Sequence, residues 1–341
     1  NTAQHYSQEG LKLAREQGSV LFEALLSVDR VHLLGMLGEN ERAAELIEQS
    51  LQHLQGAGLQ GPELARLLLL RGGQLAGQGQ AQAAEVAFAA GLREAEACED
   101  AYVLFGYQGL AELVAERGDL EKAQLLLRKA ERQMQWQRVP EVRYRGVLQL
   151  AASLLLLRQG EAEKARSNLL QLQQRFTEQD LLAPSGFYDL QLRVRHALAL
   201  ADFALGQQQP AITALAELIE DCQRLGHRSL ACEYRCSLAE ARWLTGQIEA
   251  ANRDPSPAAH EAERLQLLRP LRTLHRRQPV WLEQNLPQLS EAGWQQVLHP
   301  QGAAAVPSAA ERSQSLLSKR EETVLELIAL GCSNQQIAEQ L

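Results

Sequence analysis

The chain has 341 residues, 45% of them hydrophobic and 5% aromatic, and Leu and Ala together make up roughly a third of it, well above ordinary usage. So strong a helix-forming bias points to an all-α protein, long enough for one extended domain or two to three ordinary ones. A formal charge of −8, from 34 basic and 42 acidic residues, argues against a surface devoted to nucleic acid or anionic lipid. The apolar runs, such as Leu67–Leu70 and Leu154–Leu157, are far too short to span a bilayer.

No secretory signal opens the sequence, and five widely spread cysteines read as the reduced thiols of a cytoplasmic protein. Asn1 stands where an initiating Met would be, so the expectation is a fragment of a longer protein.

In chain order, residues 3–17 form a helix that reads as the second half of a hairpin lacking its first half. Six hairpins follow. Their first helices are expected at about 20–36, 62–77, 101–117, 141–158, 187–205 and 228–245. The second helices are expected at about 41–55, 81–97, 120–136, 161–178 and 210–225, with a truncated one from 247. Each pair meets at a glycine: Gly38, Gly79, Gly118, Gly160, Gly206 and Gly246. Five positions later stands an alanine: Ala43, Ala84, Ala123, Ala165, Ala211 and Ala251. Glycine supplies the positive φ that ends a helix, and a methyl in the next first turn lets the second helix fold back closely.

Seven residues before each glycine a mostly small residue recurs (Val31, Gly72, Ala111, Ser153, Ala199, Ala239), and nine after it a large apolar one (Ile47, Phe88, Leu127, Leu169, Leu215). Small positions let helices touch and large ones fill the space beside them. Pro255 takes the large position in the sixth unit and breaks the rule there.

This register resembles the tetratricopeptide repeat in a longer variant, and the alternative is an ordinary helical bundle with glycine connections. The resemblance implies a right-handed superhelix of tetratricopeptide-like hairpins over residues 1–252, whose first helices line a concave binding face. Transferring its offsets selects His32, Arg66, Phe105, Gln108, Glu112, Arg193, His196, Phe203, Glu233, Glu240 and Trp243 as candidate ligand residues. Tyr102, Tyr107, Tyr144 and Tyr188 lie on the same helices, Tyr144 being included among the candidates. Aromatics beside charged and amide groups suit a sugar or small polar effector, although each residue also reads as core or solvated face.

From 253 to 300 prolines break the rhythm, giving an irregular extension with helices near 258–277, 279–286 and 288–298. The basic stretch Arg264 to Arg277, with Arg269, Arg272, His275 and Arg276, is compatible with phosphate or a neighbouring domain. A solvated helix face is the preferred reading, because Arg commonly lies flat over apolar surface. Small and polar residues over 301–315 read as a flexible linker.

Residues 316–341 change character. Ser318 with Glu321 and Ser333 with Gln336 are two capping boxes. Val324, Leu325, Leu327 and Ile328 form an apolar face that stops at Gly331, and Ile337, Ala338 and Leu341 begin a second. Two short capped helices joined by a glycine turn open a helix-turn-helix. The stretch closely resembles the start of the LuxR-type DNA-binding domain, whose pattern reads L-[ST]-x-R-E-x-x-V-L-x-L-I-A-x-G-x-S-N-x-x-I-A-x-x-L. The resemblance implies a domain scaffold held by Ser318, Glu321, Leu325, Gly331, Ser333, Asn334 and Ile337. The family's recognition helix would come after Leu341, so a truncated domain without specific DNA binding is the expectation.

A superhelix followed by such a domain resembles the large LuxR-family regulators of the MalT type. That resemblance implies an effector-sensing region binding a small-molecule inducer or regulatory protein. It also implies promoter DNA and the transcription machinery as partners of the full-length protein, with self-association of the active form. ATP is expected only in a missing N-terminal module, because no Gly-Lys pair is present to build a phosphate-binding loop and no cofactor is expected here. Cys222, His227, Cys232 and Cys236 read either as a zinc set or as core residues, with core preferred. No residue pattern asks for catalysis or a membrane. The rival function is a peptide-binding scaffold.

Overall fold

Helix after helix turns back on its predecessor, and the turns explain why. In the computed structural model, which describes residues 2–139, 141–178, 189–253, 255–285 and 297, α1 (Thr2–Glu16) precedes six hairpins. These are α2 (Val20–Leu37) with α3 (Asn40–Gly56), α4 (Pro62–Gly77) with α5 (Ala81–Ala97), and α6 (Val103–Glu116) with α7 (Leu120–Gln133). Next come α8 (Glu141–Arg158) with α9 (Ala162–Glu178), α10 (Leu190–Ala204) with α11 (Gln208–Leu225), and α12 (Arg228–Leu244) with the short α13 (Ile248–Arg253). The extension adds α14 (Pro255–Arg264), α15 (Arg269–Arg277) and α16 (Pro279–Asn285). No strand occurs among the described residues. Contacts divide the chain into Asn1–Pro300 and Gln301–Leu341.

All six turn glycines have φ between 75° and 89°. In every one of these turns the residue after the glycine donates its amide to the carbonyl five residues earlier, as Glu39 does to Leu34 and Asp119 to Val114, at 2.8 to 3.3 Å. That bond satisfies a carbonyl the helix end leaves open and swings the chain into the next helix. The six alanines of the register are at most 1% exposed, so each second helix leans on its first through a methyl. The large positions Ile47, Phe88, Leu127, Leu169 and Leu215 are all buried, as are Val31, Ala111, Ser153, Ala199 and Ala239 at the small ones. The fold is the all-α, tetratricopeptide-like superhelix that the register predicts.

Its apolar core is a chain of local clusters. One joins α1 to α4, the largest runs from α4 to α10, and further ones join α6–α8, α10–α12 and α12–α16. Each interface buries leucine and alanine side chains between neighbouring helices, the term that dominates folding stability.

Three expectations need correction. The helix predicted over 258–277 is two helices, α14 and α15: Gln266 has φ +51° and Pro270 opens α15, where its missing amide costs nothing. The second helix of unit three ends at Gln133 and gives way to a short 3₁₀ turn, Trp136–Arg138, three residues before the predicted end. The basic stretch is a solvated face only in part: Arg264, Arg276 and Arg277 are exposed, but Arg272 is 8% exposed and Arg269 is ion-paired against α6. The linker 301–315, the helix 288–298 apart from Val297, and Tyr188 lie outside the described residues. So do Ser318, Glu321, Leu325, Gly331, Ser333, Asn334 and Ile337.

Candidate functional site

The first helices of the hairpins turn a row of aromatic rings toward one another. His32 of α2 lies within hydrogen-bonding distance of the Tyr102 hydroxyl, 3.0 Å from its Nε2. Ring centroids continue at 5.1 Å from Tyr102 to Phe105 and 6.3 Å from Phe105 to Tyr144 of α8, both tilted, so one aromatic arc crosses units one, three and four. The Arg66 guanidinium lies 5.0 Å from the Tyr102 ring centroid and donates to Asp100 at 2.7 and 3.3 Å. Asp100 also accepts the Tyr102 amide at 2.9 Å, which fixes the start of α6. Four predicted residues (His32, Arg66, Phe105 and Tyr144) therefore meet around Tyr102, whose hydroxyl is pushed up to about 12 by burial.

His32 reports the shape of this surface. Its side chain is exposed, yet burial lowers its pKa, and Asp189, just before the distant α10, is close enough to oppose that effect. A side chain that solvent reaches while protein surrounds it stands inside a concavity. Arg193 and Asp189 behave alike. They pair at 2.6 Å with side chains 46% and 31% exposed. Burial acts to lower the Arg193 pKa, but Asp189 and Glu233 outweigh it and hold the pKa above the ordinary value. Farther along, Gln108 donates to Glu112 at 3.1 Å, and Glu112 also receives Arg269 of the extension at 2.9 Å. Burial acts to raise the Glu112 carboxyl, and Arg269, Gln108 and Arg193 hold it below the usual range instead. At Glu240 the partner is Arg277, 3.0 Å away.

The remaining candidates sit elsewhere. His196 is buried between α10 and α12, stacked on Tyr234 at 4.2 Å with its Nε2 2.9 Å from Ser237 Oγ. Burial first, then Arg193 beside it, pushes its pKa down to about 3, so the imidazole is neutral. Phe203 packs against the α10–α12 cluster, and Trp243 stacks on Trp281 at 5.2 Å within the α12–α16 cluster. Cys232 and Cys236 also belong to that cluster. Among the described residues no group of three or more His, Cys, Asp and Glu is arranged to hold a metal ion.

A separate cleft of about 450 Å³ between α1, α2 and α3, bordered by Glu9, Arg15, Arg42 and Gln49, contains none of the predicted residues. The arc and the charged groups of α6, α10 and α12 are the better candidate, because they bring residues from many helices to one concave face.

Sequence reasoning underrated Tyr102, the hub of the arc, although Tyr102, Phe105 and Glu112 share one stripe of α6 at helical spacing. Glu116 and Arg269 had no local signal, because only the return of the extension brings them together, whereas Asp189 stands four residues before its partner Arg193. The arrangement offers ring faces for stacking and fixed charges for directional hydrogen bonds.

The molecule is thus a superhelix of helical hairpins with a polar, aromatic-edged inner face. Among solved structures it is similar to "Crystal Structure of Rap Protein Complexed with Competence and Sporulation Factor". The TM-score is 0.50 at 12% identity, covering 93% of this chain and 85% of that chain, a likeness of fold. Residues 315–341 match the profile of the family described as "GerE: Bacterial regulatory proteins, luxR family". No curated protein matches the chain in sequence. No helix among the described residues is long and apolar enough to cross a membrane.

Proposed function

We propose that this chain is the effector-sensing and interaction region of a cytoplasmic LuxR-type transcriptional regulator of the large MalT type. A small-molecule inducer or a regulatory protein binds in the groove. Its preference for one arrangement of the superhelix shifts the population able to act at a promoter. ATP, in this reading, is handled by a separate module, and the groove performs no chemistry. The observation that carries the reading is the presence, on one polypeptide, of a luxR-family match at residues 315–341 and a superhelix whose inner face gathers Tyr102, Phe105, Tyr144 and Arg193.

A second reading, a scaffold whose groove holds a peptide or protein, is favoured by the neighbour of similar fold having been solved in complex with Competence and Sporulation Factor. Calorimetry of the purified chain against sugars and small polar metabolites separates the two. Saturable binding by one such compound, weakened about tenfold or more by Tyr102→Ala, is the expected result. Binding of peptides or proteins alone would replace the sensor by the scaffold, and turnover of any compound would overturn both.

A further inference from the structure

The seam where the superhelix meets itself is built unlike its other helix interfaces. Among the described residues no apolar cluster spans it: the α1–α4 cluster and the α12–α16 cluster share no residue and no bridging cluster. The hydrogen bonds and ion pairs that cross it come from both α12 and the extension. Ser229 at the start of α12 donates to the Gly35 carbonyl of α2 at 2.8 Å, and Asn40 Nδ2 donates to the Leu265 carbonyl at 2.6 Å. From α15, Arg272 donates to the Gly79 carbonyl and Arg276 to the Glu116 carbonyl, the latter at 3.3 Å. Both carbonyls lie at the C-terminal ends of first helices, where the helix dipole favours a cation. Arg269 completes the set, 2.9 Å from Glu112 and 2.6 Å from Glu116. The apolar approaches are small and lie at glycines: a Cβ on Gly38 would stand 2.5 Å from a Leu265 methyl, one on Gly77 3.3 Å from Leu267, and one on Gly226 3.7 Å from Leu37.

The opposite face of the same segment is apolar. Leu268, Leu271 and Leu274 join Cys232, Cys236 and Ala239 of α12 in a continuous buried cluster. The α14–α15 segment is therefore fixed to the last hairpin chiefly by hydrophobic burial, and to the first three hairpins chiefly by hydrogen bonds and ion pairs with a few leucine contacts at glycines. Partly solvated ion pairs contribute far less than buried apolar surface.

We propose that α14–α15 is a polar latch that reversibly closes the superhelix, with Glu112 and Glu116 as its seat. The two carboxylates hold a guanidinium in cis, and any groove ligand that takes Glu112 for itself loosens the latch. In sequence the latch lies between the hairpins and residues 315–341. It thus links groove occupancy to that segment, and this clause alone rests on the regulatory reading above. The latch stands without any effector.

Hydrogen exchange by mass spectrometry on the whole chain tests it. Arg269→Glu should speed exchange about tenfold in the seam turns around Gly38 and His227, while the α4–α5 core keeps its protection. One molar salt, where the screening length is about 3 Å, should move the unsubstituted chain the same way. The double variant Arg269→Glu with Glu116→Arg should restore slow exchange. Unchanged exchange in Arg269→Glu, protection lost throughout the core, or no restoration by the charge swap would each overturn the latch. None of these outcomes depends on whether the groove binds a metabolite.

Discussion

Gly72 and Gly73 are neighbours in the middle of α4 and face opposite surroundings. A Cβ on Gly72 would stand 2.6 Å from Phe88 Cδ1 and 2.8 Å from two further ring atoms, whereas one on Gly73 meets nothing within 4 Å. Alanine in place of glycine in an exposed helix interior stabilises by about 0.5–1 kcal/mol, because the unfolded chain loses freedom and the helix gains a better former. Gly73→Ala should raise stability by about that amount. Gly72→Ala brings the same backbone gain, but its methyl must displace Phe88. That ring is 4% exposed and is gripped on another side by Gly109, whose own Cβ position also meets it. Overpacking of this kind costs about 1–3 kcal/mol, leaving a net loss of about 0–2.5 kcal/mol. Urea unfolding followed by circular dichroism should show the two midpoints moving in opposite directions at an unchanged slope. Gly72 precedes its turn glycine by seven residues and Phe88 follows it by nine. Equal stabilisation by both substitutions would therefore refute the small-against-large register itself.

Ala165, fully buried in the first turn of α9, should cost about 1–3 kcal/mol when replaced by Leu, and Ala123→Leu should behave alike; thermal melts unmoved by both would contradict the hairpin packing. Asp100→Ala removes the acceptor of both Arg66 and the Tyr102 amide at a site 9% exposed, and urea titration should register a loss of about 1–3 kcal/mol. His196, with its pKa pushed down to about 3, binds fewer protons folded than unfolded below about pH 6.5, so its contribution is complete above that pH and declines as pH falls toward 3. The decline is about 1.4 kcal/mol per pH unit, and His196→Gln should flatten the stability–pH curve between pH 7 and 5; identical slopes would show that the buried imidazole is not the titrating group.

What could be read in the sequence was whatever repeats locally. A turn glycine, an alanine five positions on and a large residue nine positions on lie within one hairpin, so their spacing carries their packing with it. The aromatic arc was half legible: Phe105, Gln108 and Glu112 follow from one helix stripe, while the meeting of His32 with Tyr102 joins residues 70 apart and depends on how hairpins stack. The extension was legible only in part, because an arginine-rich helix looks the same in sequence whether water or a carboxylate receives it. Only the return of the chain brings Arg269 to Glu116, 153 residues away, and Asn40 to the Leu265 carbonyl, 225 residues away. His196 was offered as a groove residue from its offset, whereas Tyr234 and Ser237 of the next hairpin enclose it.

The charges of the groove are not what holds the hairpins together. Between neighbouring helices the contacts are mostly alanine and leucine with other apolar side chains, and those clusters are continuous from α1 to α16 without help from Arg193, Asp189 or Glu112. Arg193 and Asp189 lie four residues apart, on and just before one helix, where such a pair contributes a few tenths of a kcal/mol at most. Surrounding charged groups with protein is unfavourable unless their partners are well placed, and a superhelix lined by neutral residues would fold at least as well. The same holds for the seam, where leucines would close the ring more tightly than Arg269, Arg272 and Ser229 do. A molecule selected for stability alone would use apolar residues in both places. Charge in the groove and polar contacts at the seam share the property that solvent or a competing ligand can replace them, which is what the proposed binding and release require.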